Sequence, residues 1–208
     1  MSTTGNLPFL IGIAGPSCAG KTELSRRLSV LLAAPVLPLD GYYLDLSHLP
    51  PAERMQCNFD LPEVLDHDLF VRHLTALGQG HPISRPVYDF ATHLRTGRLQ
   101  AVSPAVVILV EGLLLLHWEE VRNLLSLRVY VDLDDQSCLE RRLLRDGKER
   151  GRSPESVRRQ YAETVRPMAE KYVYPTRSFA DLVVRGDAPL EDSAAAVMAR
   201  LPAGPSRS

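Results

Sequence analysis

The stretch GIAGPSCAGKTELSRRL, residues 12–28, decides the fold. An apolar run over residues 9–14 stops at a glycine, passes through the loop 15–22, and resumes with Leu24, Leu28, Leu31 and Leu32 at helical spacing. That order reads as strand, loop and amphipathic helix. The loop, Gly15, Pro16, Ser17, Cys18, Ala19, Gly20, Lys21 and Thr22, has the spacing G-x-x-x-x-G-K-[ST]. In such a loop the backbone N–H groups and the helix N-terminus hold anionic oxygens, the lysine reaches the outer phosphates, and the hydroxyl binds Mg²⁺.

Outward from the loop the chain alternates strand and helix. PVLPLD (35–40) reads as a short second strand ending at Asp40, DHDLFVRHLTAL (66–77) as a helix, and residues 82–103 as an inserted β-like hairpin with a turn at Thr96-Gly97. AVVILVEG (105–112) is almost wholly apolar, as a parallel strand covered on both faces would be. LRVYVDLD (127–134) alternates as a half-exposed strand would. Two helical segments over about 136–150 and 154–173, a strand near DLVVR (181–185) and a helix over 190–201 complete the pattern, and the tails 1–6 and 202–208 are expected to fray. The expectation is an α/β P-loop NTPase fold, one domain over 1–208, with its ligand at the carboxyl ends of a parallel sheet.

Composition sets the limits. The 208 residues are 45% hydrophobic and 24% charged with a net charge of −1, which suits an ordinary globular chain and gives no general pull toward nucleic acid or anionic membrane. The longest apolar stretch, 105–116, is broken by Glu111 and Gly112 and falls short of the roughly 20 residues that span a bilayer. The start of the chain has no basic leader or small-residue cleavage site, and Cys18, Cys57 and Cys138 form neither a disulfide framework nor a zinc pattern, so a cytoplasmic protein is expected.

Two acids fall beside the loop. A parallel sheet would carry Asp40 and Glu111 to the same rim, where Glu111 suits a Mg²⁺ ligand and Asp40 suits a base that takes a proton from an attacking hydroxyl; strand-end caps are the alternative. Residues 140–160 hold eight basic side chains, among them Arg142, Arg145, Arg150 and Arg152, against four acids. That block is either a solvated helix face or a mobile lid that brings guanidinium groups to a transferring phosphoryl group.

These motifs in this order, GPSCAGKT, LDGYY, CNFDLPEVLD, PVYDFATHLR, VILVEGLL, RRLLRD, ERGRSPESVRRQY and PTRSFADLVV, resemble the uridine kinases, also called uridine-cytidine kinases, of the P-loop kinase superfamily. The resemblance runs over about 10–186. It implies transfer of the γ-phosphoryl group of ATP, with Mg²⁺, to the 5′-hydroxyl of uridine or cytidine. By the same resemblance Asp40 is the catalytic base and a metal-side acid, and Lys21, Thr22 and Glu111 hold phosphate and metal. Asp60 meets the ribose hydroxyls, with Phe59 and Tyr43 beside the nucleoside; Tyr88 and His93 meet the base edge and Phe90 packs near it. Arg145 and Arg152 serve the phosphates, and Arg142, Arg150 and Gln160 serve the nucleoside side. Members of the family form tetramers, and their end products CTP and UTP commonly inhibit them.

The chain departs from that family's pattern at three points, one of them VVRGDAP (183–189), which lacks the proline and second glycine often seen there. Leu61 follows NFD where histidine is common, and Cys18 stands in the phosphate loop where small polar residues are usual, so blocking that thiol is expected to prevent ATP binding unless it is packed and inert. A neutral imidazole at His93 can donate or accept, which fits both uracil and cytosine. Phosphoribulokinase-like and nicotinamide riboside kinase-like acceptors, and a non-catalytic nucleotide-binding regulator, stay open as alternatives.

Overall fold

The computed structural model describes residues 7–202; both tails expected to fray lie outside them, apart from Pro202. Five parallel strands form one sheet in the order β2-β5-β1-β6-β7, with β1 Phe9–Ala14, β2 Val36–Pro38, β5 Val107–Glu111, β6 Leu127–Asp132 and β7 Leu182–Arg185. In β1, Leu10 and Ala14 join one apolar layer while Ile11 and Ile13 join the other, as the two-residue period of a strand requires. The first layer is filled by Phe70, Leu74 and Leu77 of α3 (His67–Gly78) and by Leu114–Leu116, and the second by Leu24 and Leu28 of α1 (Lys21–Leu32). Each such fully buried side chain contributes about 1.5–3 kcal/mol.

Local chemistry fixes the helix ends. Asp66 accepts from the Leu69 N–H at the start of α3, and Asp134 accepts from the Ser137 N–H at the start of α5 (Asp135–Arg150). Gly151 ends α5 in the left-handed region at φ 61°, and Ser153 caps α6 (Pro154–Gln160), so only three residues separate the two helices. The helix then continues through a π-helical turn, Tyr161–Val165, into α7 (Arg166–Tyr172). Two four- and six-residue helices absent from the sequence reading are α2, Pro51–Arg54, and α4, Glu119–Leu124; α8, Leu190–Met198, closes the fold.

Three expectations change. The hairpin of β3 (Ile83–Asp89) and β4 (Leu94–Val102) does not turn at Thr96-Gly97. It turns over residues 90–93, where the Asp89 carboxylate accepts from the Ala91 N–H and the Thr92 hydroxyl, while Gly97 lies inside β4. β6 is not half-exposed: it runs between β1 and β7, with Leu127, Val129, Tyr130 and Val131 all buried. Asp40 does not end β2 but lies just beyond it, in the 3₁₀ turn Leu39–Tyr42. No helix among the described residues is long and apolar enough to cross a membrane.

Candidate active site

The phosphate loop leaves β1 at the sheet's centre. Gly15 has φ 137°, and a Cβ there would stand 2.3 Å from the Val131 carbonyl oxygen, so only glycine fits. Cys18 also adopts positive φ, at 66°, and Gly20 at 109° hands the chain to α1. Gly15, Pro16 and Ala19 are buried and form the loop's inner wall, while Ser17, Cys18, Gly20, Lys21 and Thr22 line a cleft of about 1330 Å³. The Lys21 ammonium donates to the Pro16 carbonyl at 2.8 Å, and burial lowers its pKa against the opposing pull of Asp40 and Glu111.

Across the loop, Glu111 reaches from the end of β5. The Thr22 hydroxyl donates to its Oε1 at 3.3 Å, and its Oε2 is buried with no partner. A hydroxyl and a carboxylate with a spare oxygen suit Mg²⁺, which favours oxygen ligands and takes few from the protein. No group of three or more His, Cys, Asp or Glu side chains among the described residues could hold a metal ion by itself.

Asp40 sits between the loop and the rest of the cleft. Asp40 is exposed to the cleft, and the desolvation imposed by the protein around it pushes its pKa up to about 6, opposed mainly by Lys21. Its surface remains open to the water of the cleft, which tempers that rise. Burial also raises the pKa of Asp60, with Arg142 the strongest opposing charge.

Beyond Asp40 the wall is aromatic. Tyr43 packs edge-on against Phe59 with ring centres 5.2 Å apart and lies 5.3 Å from Tyr88, while Phe90, half exposed, stands 5.3 Å from Tyr88. His93 stacks on Phe59 at 4.4 Å and 18°, from a left-handed backbone at φ 56°. Its Nδ1 and the Tyr88 hydroxyl are buried without partners, so two polar atoms stand ready on an otherwise apolar wall. Burial, assisted by the charges of Arg150 and Arg54, lowers the His93 pKa and keeps the ring neutral. Leu61 does not line the cleft.

The basic helices α5 and α6 form the third side of the cleft. Arg142, Arg145, Arg150, Arg152 and Gln160 all face the cleft. Gln160 Oε1 accepts from Arg142 and Arg152, and Arg142 also donates to the Ser17 hydroxyl at 3.2 Å, joining α5 to the loop. The sequence reading missed the acid that gathers them. Asp146 is fully buried and lies 2.8–3.7 Å from Arg142, Arg145, Arg150 and Arg152. Its signal was present in the spacing: Asp146 is four residues after Arg142 and four before Arg150.

Arg141 was missed too. It donates to the carbonyls of Ala19 at 3.4 Å and Gly186 at 2.9 Å, bracing the phosphate loop against the turn after β7. A Cβ at Gly186 would meet the Ala19 oxygen at 2.2 Å.

Residues 10–189 match the model of the Phosphoribulokinase / Uridine kinase family. The chain belongs to that family. Among curated relatives, the uridine kinase of Geobacillus sp. (strain WCH70) is 44% identical over 187 residues, covering 86% of this chain and 87% of that one. The uridine kinase of Deinococcus deserti is 44% identical over 185 residues, covering 87% and 89%. Among solved structures, D-glycerate 3-kinase from Cryptococcus neoformans shares the fold at a TM-score of 0.64 and 16% identity, covering 91% of this chain and 90% of that one. Family and fold together place the motif of residues 15–22 in a P-loop kinase scaffold.

Cys18 presents a thiol to the cleft from the middle of this loop. An adduct on it would stand where phosphate oxygens must approach the backbone N–H groups. Alkylation is therefore expected to abolish ATP binding, and ATP to protect the thiol; mass spectrometry with a thermal-shift assay checks this, and full ATP binding after stoichiometric labelling would refute it.

Proposed function

We propose that this protein is a uridine and cytidine kinase, transferring the γ-phosphoryl group of ATP to the nucleoside 5′-hydroxyl to give UMP or CMP. The observation that carries the reading is the composition of one cleft: a phosphate loop at one end, an aromatic slot with unpaired polar atoms at the other, and Asp40 between them. Its relatives named uridine kinase support the same acceptor.

In this reading the loop N–H groups and Lys21 hold the triphosphate, with Lys21 exchanging the Pro16 carbonyl for phosphate oxygen. Thr22 and Glu111, with Asp40 on the same side, would hold Mg²⁺, which would supply positive charge to offset the negative charge of the phosphates. The ribose hydroxyls donate to Asp60, and the pyrimidine lies among Tyr43, Phe59 and Phe90 with its edge toward Tyr88 and His93. Asp40 accepts the 5′-hydroxyl proton as that oxygen attacks the γ-phosphorus; the bond to the β–γ bridging oxygen breaks and ADP leaves. Arg145 and Arg152 neutralise the equatorial oxygens, while Arg142, Arg150 and Gln160 close the nucleoside side. A tetrameric assembly and a cytoplasmic setting accompany this reading.

ADP release should be measured with ATP and Mg²⁺ against uridine, cytidine, ribulose 5-phosphate, nicotinamide riboside and no acceptor. Turnover with both pyrimidine nucleosides and not with the others is expected. Ribulose 5-phosphate has no ring to fill the aromatic slot, and turnover with it alone would overturn the assignment.

A further inference from the structure

Arg95 is the second residue of β4, two positions beyond His93. Its guanidinium is spent on the segment that follows Asp40. Nε donates to the Tyr43 carbonyl at 2.9 Å, and Nη2 donates to the Tyr42 carbonyl at 3.3 Å and to the Asp66 carboxylate at 3.0 Å. The Arg95 backbone N–H donates to the Asp45 carboxylate at 3.2 Å. Asp66 is itself fixed, because it caps α3 and its N–H donates to the Tyr42 carbonyl at 2.8 Å.

Among the described residues no strand pairing joins the β3–β4 hairpin to the five-stranded sheet. The hairpin carries Tyr88, Phe90 and His93, whereas the 3₁₀ turn beside the sheet carries Asp40. Arg95 spans the two. Three acceptors arranged around one guanidinium need its planar fork, and a lysine ammonium cannot reach all of them at once.

We propose that Arg95 is a positioning residue that clamps the hairpin to the Asp40 turn, so that a base gripped at the hairpin tip sets Asp40 against the 5′-hydroxyl. The proposal rests on the nucleoside kinase reading. It makes base recognition a contribution to turnover as well as to affinity, because binding at the tip is transmitted through the clamp to the reacting end.

The test compares Arg95→Lys and Arg95→Ala, each alone and combined with His93→Ala, by initial rates with uridine at saturating ATP and Mg²⁺, alongside the melting shift produced by ATP. A displacement near 1 Å at a reacting group costs about 10²-fold, so Arg95→Ala is expected to lower kcat by about 10- to 100-fold. The melting shift with ATP should be retained, because the phosphate loop is untouched. Arg95→Lys should recover only part of the loss. The combined variants should be scarcely slower than the slower single variant, since both substitutions break the same link.

Unchanged kcat in the folded variants, or losses that multiply when combined, would overturn the clamp. Should Arg95→Ala fail to fold, Arg95→Lys carries the same comparison. Absence of turnover with uridine and cytidine in the unsubstituted protein would overturn the nucleoside reading itself, and the clamp with it.

Discussion

Asp40→Asn is expected to lower kcat by at least about 10²-fold while uridine binding stays nearly unchanged, because the amide fills the same space but cannot accept the 5′-hydroxyl proton. Steady-state rates with isothermal titration of uridine check this, and near-normal turnover would remove Asp40 from the chemistry. The pH dependence follows from the same side chain. Its pKa is pushed up to about 6 by desolvation, so kcat/KM should fall as pH drops through that value and the carboxylate takes up a proton.

Stability should move the other way. The folded pKa lies above the unfolded one, so between the two values the folded chain holds a proton that the unfolded chain has lost. Stability therefore declines as pH rises through this window, and the deficit is complete above the folded pKa. Asp40→Asn removes that deficit and should melt no lower than the unsubstituted protein at pH 7. An inactive variant of undiminished stability would separate chemistry from folding.

Asp146→Ala is expected to do the opposite. Asp146 has no exposed surface and is the acid within salt-bridge reach of Arg142, Arg145, Arg150 and Arg152, of which Arg142 is 8% exposed. Removing the carboxylate leaves guanidinium groups crowded together and one of them buried without its partner. Breaking a buried pair in this way costs about 3–5 kcal/mol, and the water around Arg145, Arg150 and Arg152 puts the expected loss near the lower end, about 3 kcal/mol. For a domain of this size that is a fall in Tm of roughly 6–12 °C. Thermal melts with and without ATP check it, and a Tm within about 2 °C of the unsubstituted protein would show that these arginines do not depend on Asp146.

The contrast between these two acids shows what the sequence made legible. Glu111 closes a run of apolar residues, and Asp40 stands near the end of another, so strand periodicity alone carries both toward the phosphate loop. Asp146 stands in a polar helix among arginines, where spacing by four describes a solvated ion pair as well as it describes a buried hub. Only tertiary packing distinguishes the two. Arg95 was hidden for a related reason: its acceptors are backbone carbonyls at Tyr42 and Tyr43, and a backbone carbonyl leaves no mark in a sequence.

The hairpin turn was misplaced because side chains did what glycine usually does. Thr96-Gly97 has turn composition, yet Gly97 spends its positive φ inside β4, where β3 shifts register between Pro86 and Tyr88. The reversal occurs where Asp89 ties down the backbone two residues on, and His93 takes the left-handed position. β6 was misread because alternation does not report what lies beside a strand. Arg128 is answered by Asp181 at 2.6 Å, which lets a polar residue sit at the head of an interior strand.

The order of the sheet also bears on how the protein comes to be active. β1 is paired on both sides by later strands, Phe9 with Val107 and Ile11 with Leu127. A chain emerging from the ribosome thus carries its phosphate loop for about a hundred residues of synthesis before either neighbour of β1 exists. Such distant pairings are slow to form. The Arg141 and Gly186 brace comes later still, when β7 has docked. The phosphate loop is made before the strands that flank it and is completed only after them, so a chain interrupted before β7 would hold the motif without its finished frame.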